Sequence, residues 1–129
     1  MSLPRSIQSA VIRYDATVVR GSRGVRAARS PNAARGLYWV TFDRDISNYT
    51  WLATIWYLDP RTDDPPRDPT ADCIKVGIAY DNARNRPTRT VKADTVEVMT
   101  FSRVLRGDGG VYYDEIDLED SSFHLVVIP

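Results

Sequence analysis

Short runs in which apolar and polar side chains alternate recur along this sequence, whereas no stretch repeats its apolar residues at the spacing of an amphipathic helix. In residues 37–42, for example, Tyr38, Val40 and Phe42 fall on one face of an extended chain. Turn-forming Gly, Pro, Asn and Asp residues separate the runs at short intervals. This pattern predicts an all-β fold, a single antiparallel β-sandwich or flattened barrel of about seven to nine strands. The predicted strands cover residues 9–14, 17–20, 25–30, 37–42, 50–58, 74–80, 95–102 and 123–128.

The length of the chain suits one domain. It has 129 residues, of which 43% are apolar, so it can bury a core without a metal ion or a disulfide. We therefore expect a single β-sandwich domain over residues 1–129, with residues 1–7 as an N-terminal arm. Residues 59–72 contain four prolines and five aspartates, which predicts a long surface loop. A second outward loop is expected over residues 103–120.

The predicted strand at residues 50–58 is apolar on both faces. An antiparallel sheet with one face in water should carry polar residues on that face. Cover for the second face must come from a loop of the same chain or from another subunit. Because large apolar side chains on an outer face are typical of subunit contacts, we predict self-association. The predicted subunit interface consists of Leu52, Trp56 and Leu58.

Charge is unevenly distributed, although the chain as a whole has 17 basic and 17 acidic side chains. Residues 1–40 contain seven arginines and a single acid, Asp15, while residues 107–129 contain six acids and no base. The basic end could dock on an acidic partner, or the two ends could pair within one subunit or between neighbours. We do not expect nucleic acid to be that partner, because the acidic end would repel it. The residues predicted to dock are Arg5, Arg13, Arg20, Arg23 and Arg26.

The residues available for catalysis are few. Cys73 and His124 are the only cysteine and histidine, which excludes a sulfur-ligated zinc site and a disulfide framework. A nucleophilic triad would have to use His124, which falls inside a predicted strand, and nucleotide-binding or zinc-protease motifs are absent from the sequence. The acids of residues 114–120 lack the glycine-punctuated spacing of calcium loops. We therefore expect no enzyme activity, no cofactor and no metal site, with His124 and Cys73 in structural roles.

The triplet Arg106-Gly107-Asp108 matches an integrin-binding motif and is predicted to lie in a hairpin loop. Its function could equally be to form a turn, because Asp-Gly-Gly favours tight hairpins. The longest apolar run, residues 51–58, is much shorter than the roughly 20 residues that span a bilayer, and no secretory leader is evident. We therefore expect no membrane partner, and either synthesis in a reducing compartment or derivation from a longer precursor.

Several strand sequences resemble a known group of proteins. Residues 36–47 contain a glycine, an aromatic pair, Val-Thr-Phe and an Asp-Arg turn, and Trp51-Leu-Ala-Thr54 follows them. Val96-Glu-Val-Met-Thr-Phe101 and Phe123-His-Leu-Val-Val-Ile128 are similar to later strands of the same pattern. Together these segments resemble small β-sandwich modules of bacteriophage virion proteins, such as capsid decoration (cement) and fibre proteins, and related modules of bacterial surface proteins.

This resemblance implies a non-enzymatic structural role. It implies a homo-oligomer such as a trimer, with further contacts to other virion proteins such as the major capsid or tail protein. The expected location is then the virion, assembled in the host cytoplasm. The alternative is a carbohydrate-binding adhesin module on the bacterial cell surface. In that case the candidate sugar contacts are Tyr112, Tyr113 and Asp114. The resemblance supplies no functional residues of its own.

Overall fold

A computed structural model of the protein describes residues 6–56, 71, 73–81 and 90–129, the side chains of Val104 and Asp108 excepted. All regular structure in these ranges is β-strand, and every strand pair is antiparallel, so the predicted all-β antiparallel fold is confirmed. Leu58 and most of the predicted arm and long loop lie outside the described residues. The strands are β1 Gln8–Ile12, β2 Val18–Gly21, β3 Arg26–Arg29, β4 Leu37–Thr41, β5 Thr50–Ile55, β6 Cys73–Asp81, β7 Thr90–Asp108, β8 Val111–Leu118 and β9 Phe123–Ile128.

The strands form two sheets. Sheet A has the order β2-β1-β9-β5, and sheet B has the order β3-β4-β7-β6, with β8 paired to the far part of β7. β7 is 19 residues long and is interrupted by a bulge, where the partner of Ile78 is Val96 but the partner of Ala79 is Lys92. The carbonyl groups freed at the bulge accept hydrogen bonds from the amides of Phe42 and Ile46. If the two parts of β7 are counted separately, the described residues form ten strands.

The two sheets share one hydrophobic core. Every second residue of the central strands is buried, as the alternation in sequence predicts. The rings of Tyr38 in sheet B and Phe123 in sheet A meet with centroids 5.2 Å apart. The buried apolar residues of this core are Ala10, Ile12, Tyr38, Val40, Phe42, Ile46, Val96, Val98, Phe123, Leu125 and Val127.

The prediction of an outward loop over residues 103–120 is wrong. β4 and β6 pair with β7 only as far as Phe101, and from there β7 pairs with β8 alone. Residues 102–118 therefore form a two-stranded extension, here called the β7–β8 hairpin. Its turn is Gly109-Gly110, and both glycines have positive φ, 59° and 85°, as a two-residue hairpin turn requires.

The predicted position of Arg106-Gly107-Asp108 in a loop is wrong for the same reason. All three residues belong to β7, opposite Tyr113, Tyr112 and Val111. The Arg106 guanidinium forms ion pairs with Glu115 and Asp117 of β8. The arginine of the triplet is thus engaged within its own hairpin.

Candidate interaction surfaces

The outer face of sheet A carries apolar side chains at positions where water would favour polar ones. In β9, Phe123, Leu125 and Val127 are buried in the core, so His124, Val126 and Ile128 point outward and are half-buried. Their neighbours in β5 are Thr54, Leu52 and Thr50. Leu52 is 54% exposed, while Trp51 and Ala53 pack against the core. We call this outer surface the sheet-A face, and it consists of Ser9, Val11, Arg20, Thr50, Leu52, Thr54, Trp56, His124, Val126 and Ile128.

Part of the sheet-A face is covered by the chain itself. The Arg20 guanidinium lies over the Trp56 ring, 5.6 Å from the ring centre. Arg20 belongs to β2 and Trp56 follows β5, which are the two edge strands of sheet A, so the pair reaches across β1 and β9. Val11 lies opposite Arg20 in the β1–β2 pair and points outward, yet it is only 1% exposed. The backbone of Trp56 is anchored by its amide, which donates to the carbonyl of the buried Ser122.

His124 lies within β9 on the sheet-A face, as a strand residue rather than in a cleft. Its neighbours across the sheet are Val11 and Thr54, neither of which is an acid that could orient an imidazole for nucleophilic catalysis. A shallow hollow of about 280 Å³ opens beside it, lined by Ser9, Val11, Arg20, Gly21, Ser22 and His124. The hollow offers a guanidinium, an imidazole and hydroxyl groups, which suit polar contacts with a partner.

The β7–β8 hairpin exposes apolar side chains on both faces, and three of them share one face. Side chains opposite each other in an antiparallel pair share a face, so Leu105 and Ile116 lie on the same side as Tyr112. These three side chains are 67%, 55% and 72% exposed, respectively. The Tyr112 ring lies against Gly107, where a Cβ atom would approach it to 2.9 Å. We call this surface the hairpin face, defined by Arg103, Leu105, Gly107, Tyr112, Asp114 and Ile116.

Ion pairs between the two strands hold the hairpin. On the hairpin face, Arg103 donates to Asp114 at 2.6 Å. On the opposite face, Arg106 binds Glu115 and Asp117. The hydrogen bond with Glu115 raises the pKa of Arg106. Since all these groups are well exposed, each pair fixes the strand register more than it adds to stability.

The predicted sugar contacts do not converge. Tyr112 lies opposite Gly107 and Tyr113 opposite Arg106, so the two tyrosines point to opposite faces of the hairpin. Asp114 shares a face with Tyr112, but its carboxylate is paired with Arg103. The three residues therefore do not line a single site.

A polar junction around Asp120 joins the root of the hairpin to the core. Arg29 donates to both carboxylate oxygens of Asp120, at 2.8 and 2.9 Å, and the Gly36 amide donates to the first of them at 2.8 Å. The Tyr38 hydroxyl lies 3.1 Å from the same oxygen and 2.8 Å from the Tyr14 carbonyl oxygen. Strands β3 and β4 are thereby tied to the segment between β8 and β9.

The charges at the polar junction shift the pKa values of its members. Burial alone would raise the pKa of Asp120, but the hydrogen bonds from Arg29 and Gly36 outweigh it and hold the pKa below its usual range. The pKa of Tyr38 is raised, first by burial and then by the negative charge of Asp120. Asp120 is therefore an ionised acceptor and Tyr38 a neutral hydroxyl at neutral pH.

The arginines predicted to dock on an acidic partner are spread over the protein. Arg5 lies outside the described residues, and Arg13 lies over the Tyr14 ring, 5.5 Å from its centre. Arg20 belongs to the sheet-A face, and Arg23 is exposed in the turn after β2. Arg26 begins β3, whose Ala27 packs against the core, so Arg26 points outward from sheet B. Arg20 and Arg26 thus face opposite sides of the protein.

One ion pair between the basic and the acidic end of the chain, Arg29 with Asp120, forms within the subunit.

Exposed apolar side chains also occur outside these two faces in the described ranges, among them Tyr80 of β6 and Val91 of β7. Within these ranges, no three His, Cys, Asp or Glu side chains are grouped closely enough to hold a metal ion. The half-buried Cys73 begins β6 and is not in a disulfide. Among the described residues no helix is long and apolar enough to cross a membrane.

The sequence does not single out Leu105 and Ile116 of the hairpin face or Asp120 of the polar junction. For the first two, the available signal was the Gly109-Gly110 pair, which favours a two-residue hairpin turn with a strand on each side. For Asp120, the sequence carries no local signal, because its partners are 82 to 91 positions away.

Comparison with known proteins does not assign the chain to a family. No protein-family model matches it, and no curated protein and no solved structure matches it significantly.

Proposed function

We propose that the chain is a non-enzymatic structural or assembly protein of a virus particle, a phage capsid decoration (cement) or fibre protein that acts through protein–protein contacts. In this proposal its two sheets form a single β-sandwich, and its subunits associate through the sheet-A face. The observation that carries the proposal is the exposure of Leu52 on a well-formed strand, beside the outward Val126. Apolar side chains clustered on a rigid surface are typical of protein contacts.

The geometry of the sheet-A face supports an interface. Leu52, Val126 and Ile128 lie side by side on adjacent strands and are held in place by the core beneath them. The Arg20–Trp56 pair adds an aromatic group and a guanidinium, the two kinds of side chain most enriched in binding hot spots.

The proposed setting is the virion, with assembly in the host cytoplasm and contacts to the major capsid or tail protein. This part of the proposal rests on the resemblance of strand sequences described above. Its test is mass spectrometry of purified particles of the virus whose genome carries this gene. Detection at a stoichiometry of many copies per particle would support it, and absence from the particle would contradict it. Saturable binding on a glycan array would instead favour an adhesin.

Replacing Leu52 with glutamate should weaken self-association. A carboxylate placed in the contact would lose its water without gaining a partner, so we expect the dissociation constant to rise by roughly tenfold or more. Sedimentation velocity at micromolar concentrations measures the effect. The matched control is Val91→Glu, since Val91 is an aliphatic residue of similar exposure, 46%, on a strand of sheet B. A wild-type chain that is monomeric throughout this range, or an equal effect of both variants, would contradict the proposed interface.

A further inference from the structure

We infer that the hollow beside His124 is a carboxylate-binding site, which receives an aspartate or glutamate side chain of a protein docked on the sheet-A face. The source of the carboxylate rests on the proposed function, whereas the site itself does not. The hollow has a volume of about 280 Å³ and is lined by Ser9, Val11, Arg20, Gly21, Ser22 and His124.

The register of sheet A places the polar groups of the hollow around a small apolar floor. Val11 of β1 lies opposite Arg20 of β2 on one side and opposite His124 of β9 on the other. Because neighbouring strands are about 4.8 Å apart, the bases of the Arg20 and His124 side chains are about 10 Å apart, with Val11 between them. Ser9 precedes Val11 by two residues on the same face, and the Ser22 hydroxyl accepts a hydrogen bond from the Ser9 amide at 2.9 Å. The hollow therefore has a polar rim and an aliphatic floor.

The rim of the hollow consists of hydrogen-bond donors that no acceptor in the described part of the chain uses. The Arg20 guanidinium contacts the Trp56 ring but forms no ion pair with a described acid. Within the described ranges, the His124 ring and the Ser9 hydroxyl have no hydrogen-bond partner, and the Ser22 hydroxyl keeps its proton available for donation. The outward positions of β1, β2, β5 and β9 carry no acid. A ligand that fills the hollow must therefore supply the acceptors.

The charge and the shape of the donors favour a carboxylate. A planar guanidinium presents parallel N–H groups that match the two oxygens of a carboxylate, and these groups remain available when the guanidinium lies over an aromatic ring, as Arg20 lies over Trp56. The serine hydroxyls and an imidazole N–H can donate to the same oxygens. Of the residues that line the hollow, only Arg20 has a side chain with a permanent charge. A single negative charge therefore matches the hollow better than the larger charge of a phosphate group.

The position of the hollow indicates a protein side chain as the source of the carboxylate. Val126 lies opposite Ser9 on one side and opposite the exposed Leu52 on the other, so apolar groups adjoin the polar rim. A protein that covers these groups would exclude water from the hollow and thereby strengthen an ion pair with Arg20. A free small molecule would stay largely in water, because the hollow is shallow.

An NMR titration with sodium acetate tests the site. His124 is the only histidine of the chain, so its ring signals are assigned without ambiguity. Acetate is added at constant pH and ionic strength, with sodium chloride as the reference salt. If the wild type is assembled at the concentration used, Leu52→Ser takes its place, because Leu52 does not line the hollow. We expect a saturable shift of the His124 signals with a dissociation constant in the millimolar range, as suits an exposed ion pair. A shift that does not saturate, or an equal shift with chloride, would overturn the inference.

Two variants and a matched control identify the donors. Arg20→Gln removes the guanidinium and should raise the dissociation constant for acetate by roughly tenfold or more. Ser9→Ala removes a hydroxyl while the Arg20–Trp56 contact stays in place, and should raise the constant by roughly threefold. The control is Arg23→Gln, which removes the same charge from the adjoining turn without changing the lining of the hollow, and its effect should stay within about twofold. Circular dichroism checks that each variant is folded. Equal effects of Arg20→Gln and Arg23→Gln would indicate general attraction of anions and would overturn the site.

Peptide probes separate the two sources of a carboxylate. The blocked peptide acetyl-Gly-Glu-Gly-amide should shift the His124 signals with an affinity at least equal to that of acetate, and acetyl-Gly-Gln-Gly-amide should not shift them. Binding of acetate without binding of the glutamate peptide would overturn the assignment to a protein side chain. Inorganic phosphate that binds more tightly than acetate would overturn the assignment to a carboxylate. A monomeric wild type would contradict the proposed self-association, but the titration would still support or overturn the site.

Discussion

Replacing Gly36 with alanine is expected to lower the free energy of unfolding by about 3 kcal/mol or more. Gly36 has a φ of +75°, a conformation that residues with a side chain rarely adopt. An alanine Cβ there would lie 2.7 Å from the Thr100 carbonyl oxygen and 2.9 Å from the Leu118 Cβ. The Gly36 backbone cannot withdraw without giving up its bonds to Thr100 and Asp120. Urea denaturation followed by tryptophan fluorescence measures the loss.

Gly110→Ala separates the two causes of this effect. Gly110 also has positive φ, +85°, but a Cβ added there would meet no atom within 4 Å. Its replacement should therefore cost only the conformational part, about 1 kcal/mol. Equal losses in the two variants would mean that Gly36 is not closely packed against the root of the hairpin.

Replacing Asp120 with asparagine is expected to cost about 2–3 kcal/mol. The carboxylate accepts hydrogen bonds from Arg29 and Gly36 and lies within bonding distance of the Tyr38 hydroxyl. Asparagine keeps the shape but loses the charge, and its NH₂ group would face the Arg29 guanidinium, donor against donor. The matched control is Asp117→Asn, since Asp117 is paired with Arg106 on the exposed hairpin, and a change within about 0.5 kcal/mol is expected there. A cost for Asp120→Asn no greater than that of the control would contradict the role assigned to the polar junction.

The difference in stability between the wild type and Asp120→Asn is expected to depend on pH. The pKa of Asp120 is lower in the folded protein than the ordinary value of about 3.9, so the unfolded chain binds the proton more readily. The stabilisation that the ionised Asp120 carboxylate provides is therefore fully present above the pKa of this group in the unfolded chain. It is lost as the pH falls through the lower pKa of the folded protein. The difference in stability between wild type and Asp120→Asn should be constant near neutral pH and should shrink in acid. A difference that grows in acid would contradict the assigned shift.

The sequence predicts those strands that bury one face. β4, β6 and β9 follow the alternation of apolar side chains, and the predicted ranges differ from the observed strands by a residue or so. β8 escaped prediction because Asp114, Glu115 and Asp117 are residue types that strands usually avoid. Their presence in a strand depends on Arg103 and Arg106 across the hairpin, and that pairing is fixed only by the register. β7 is longer than predicted at both ends, because residues 103–108 pair with β8 alone and residues 90–92 pair with β6 on the other side of the bulge.

The candidate surfaces were predictable to different degrees. Alternation along β5 placed Leu52 on the outer face, where the structure also has it. The partial cover of Trp56 by Arg20 was not predictable, because the two side chains meet across the full width of a sheet. The hairpin face could not be predicted, because its residues share a face only if residues 103–118 form two paired strands. Strand order and register depend on pairing between distant segments. The alternation of apolar residues within one segment therefore cannot predict them.

β7 is one uninterrupted element from the bulge near Val96 to the glycine turn, so the projecting ribbon is a direct continuation of the molecule's central strand. The direction in which the hairpin projects from sheet B is therefore set by the backbone of β7 at Phe101, where its pairing with β6 ends and its pairing with β8 begins. A change in backbone geometry there would redirect Leu105, Tyr112 and Ile116 together, while leaving the ion pairs between β7 and β8 in place.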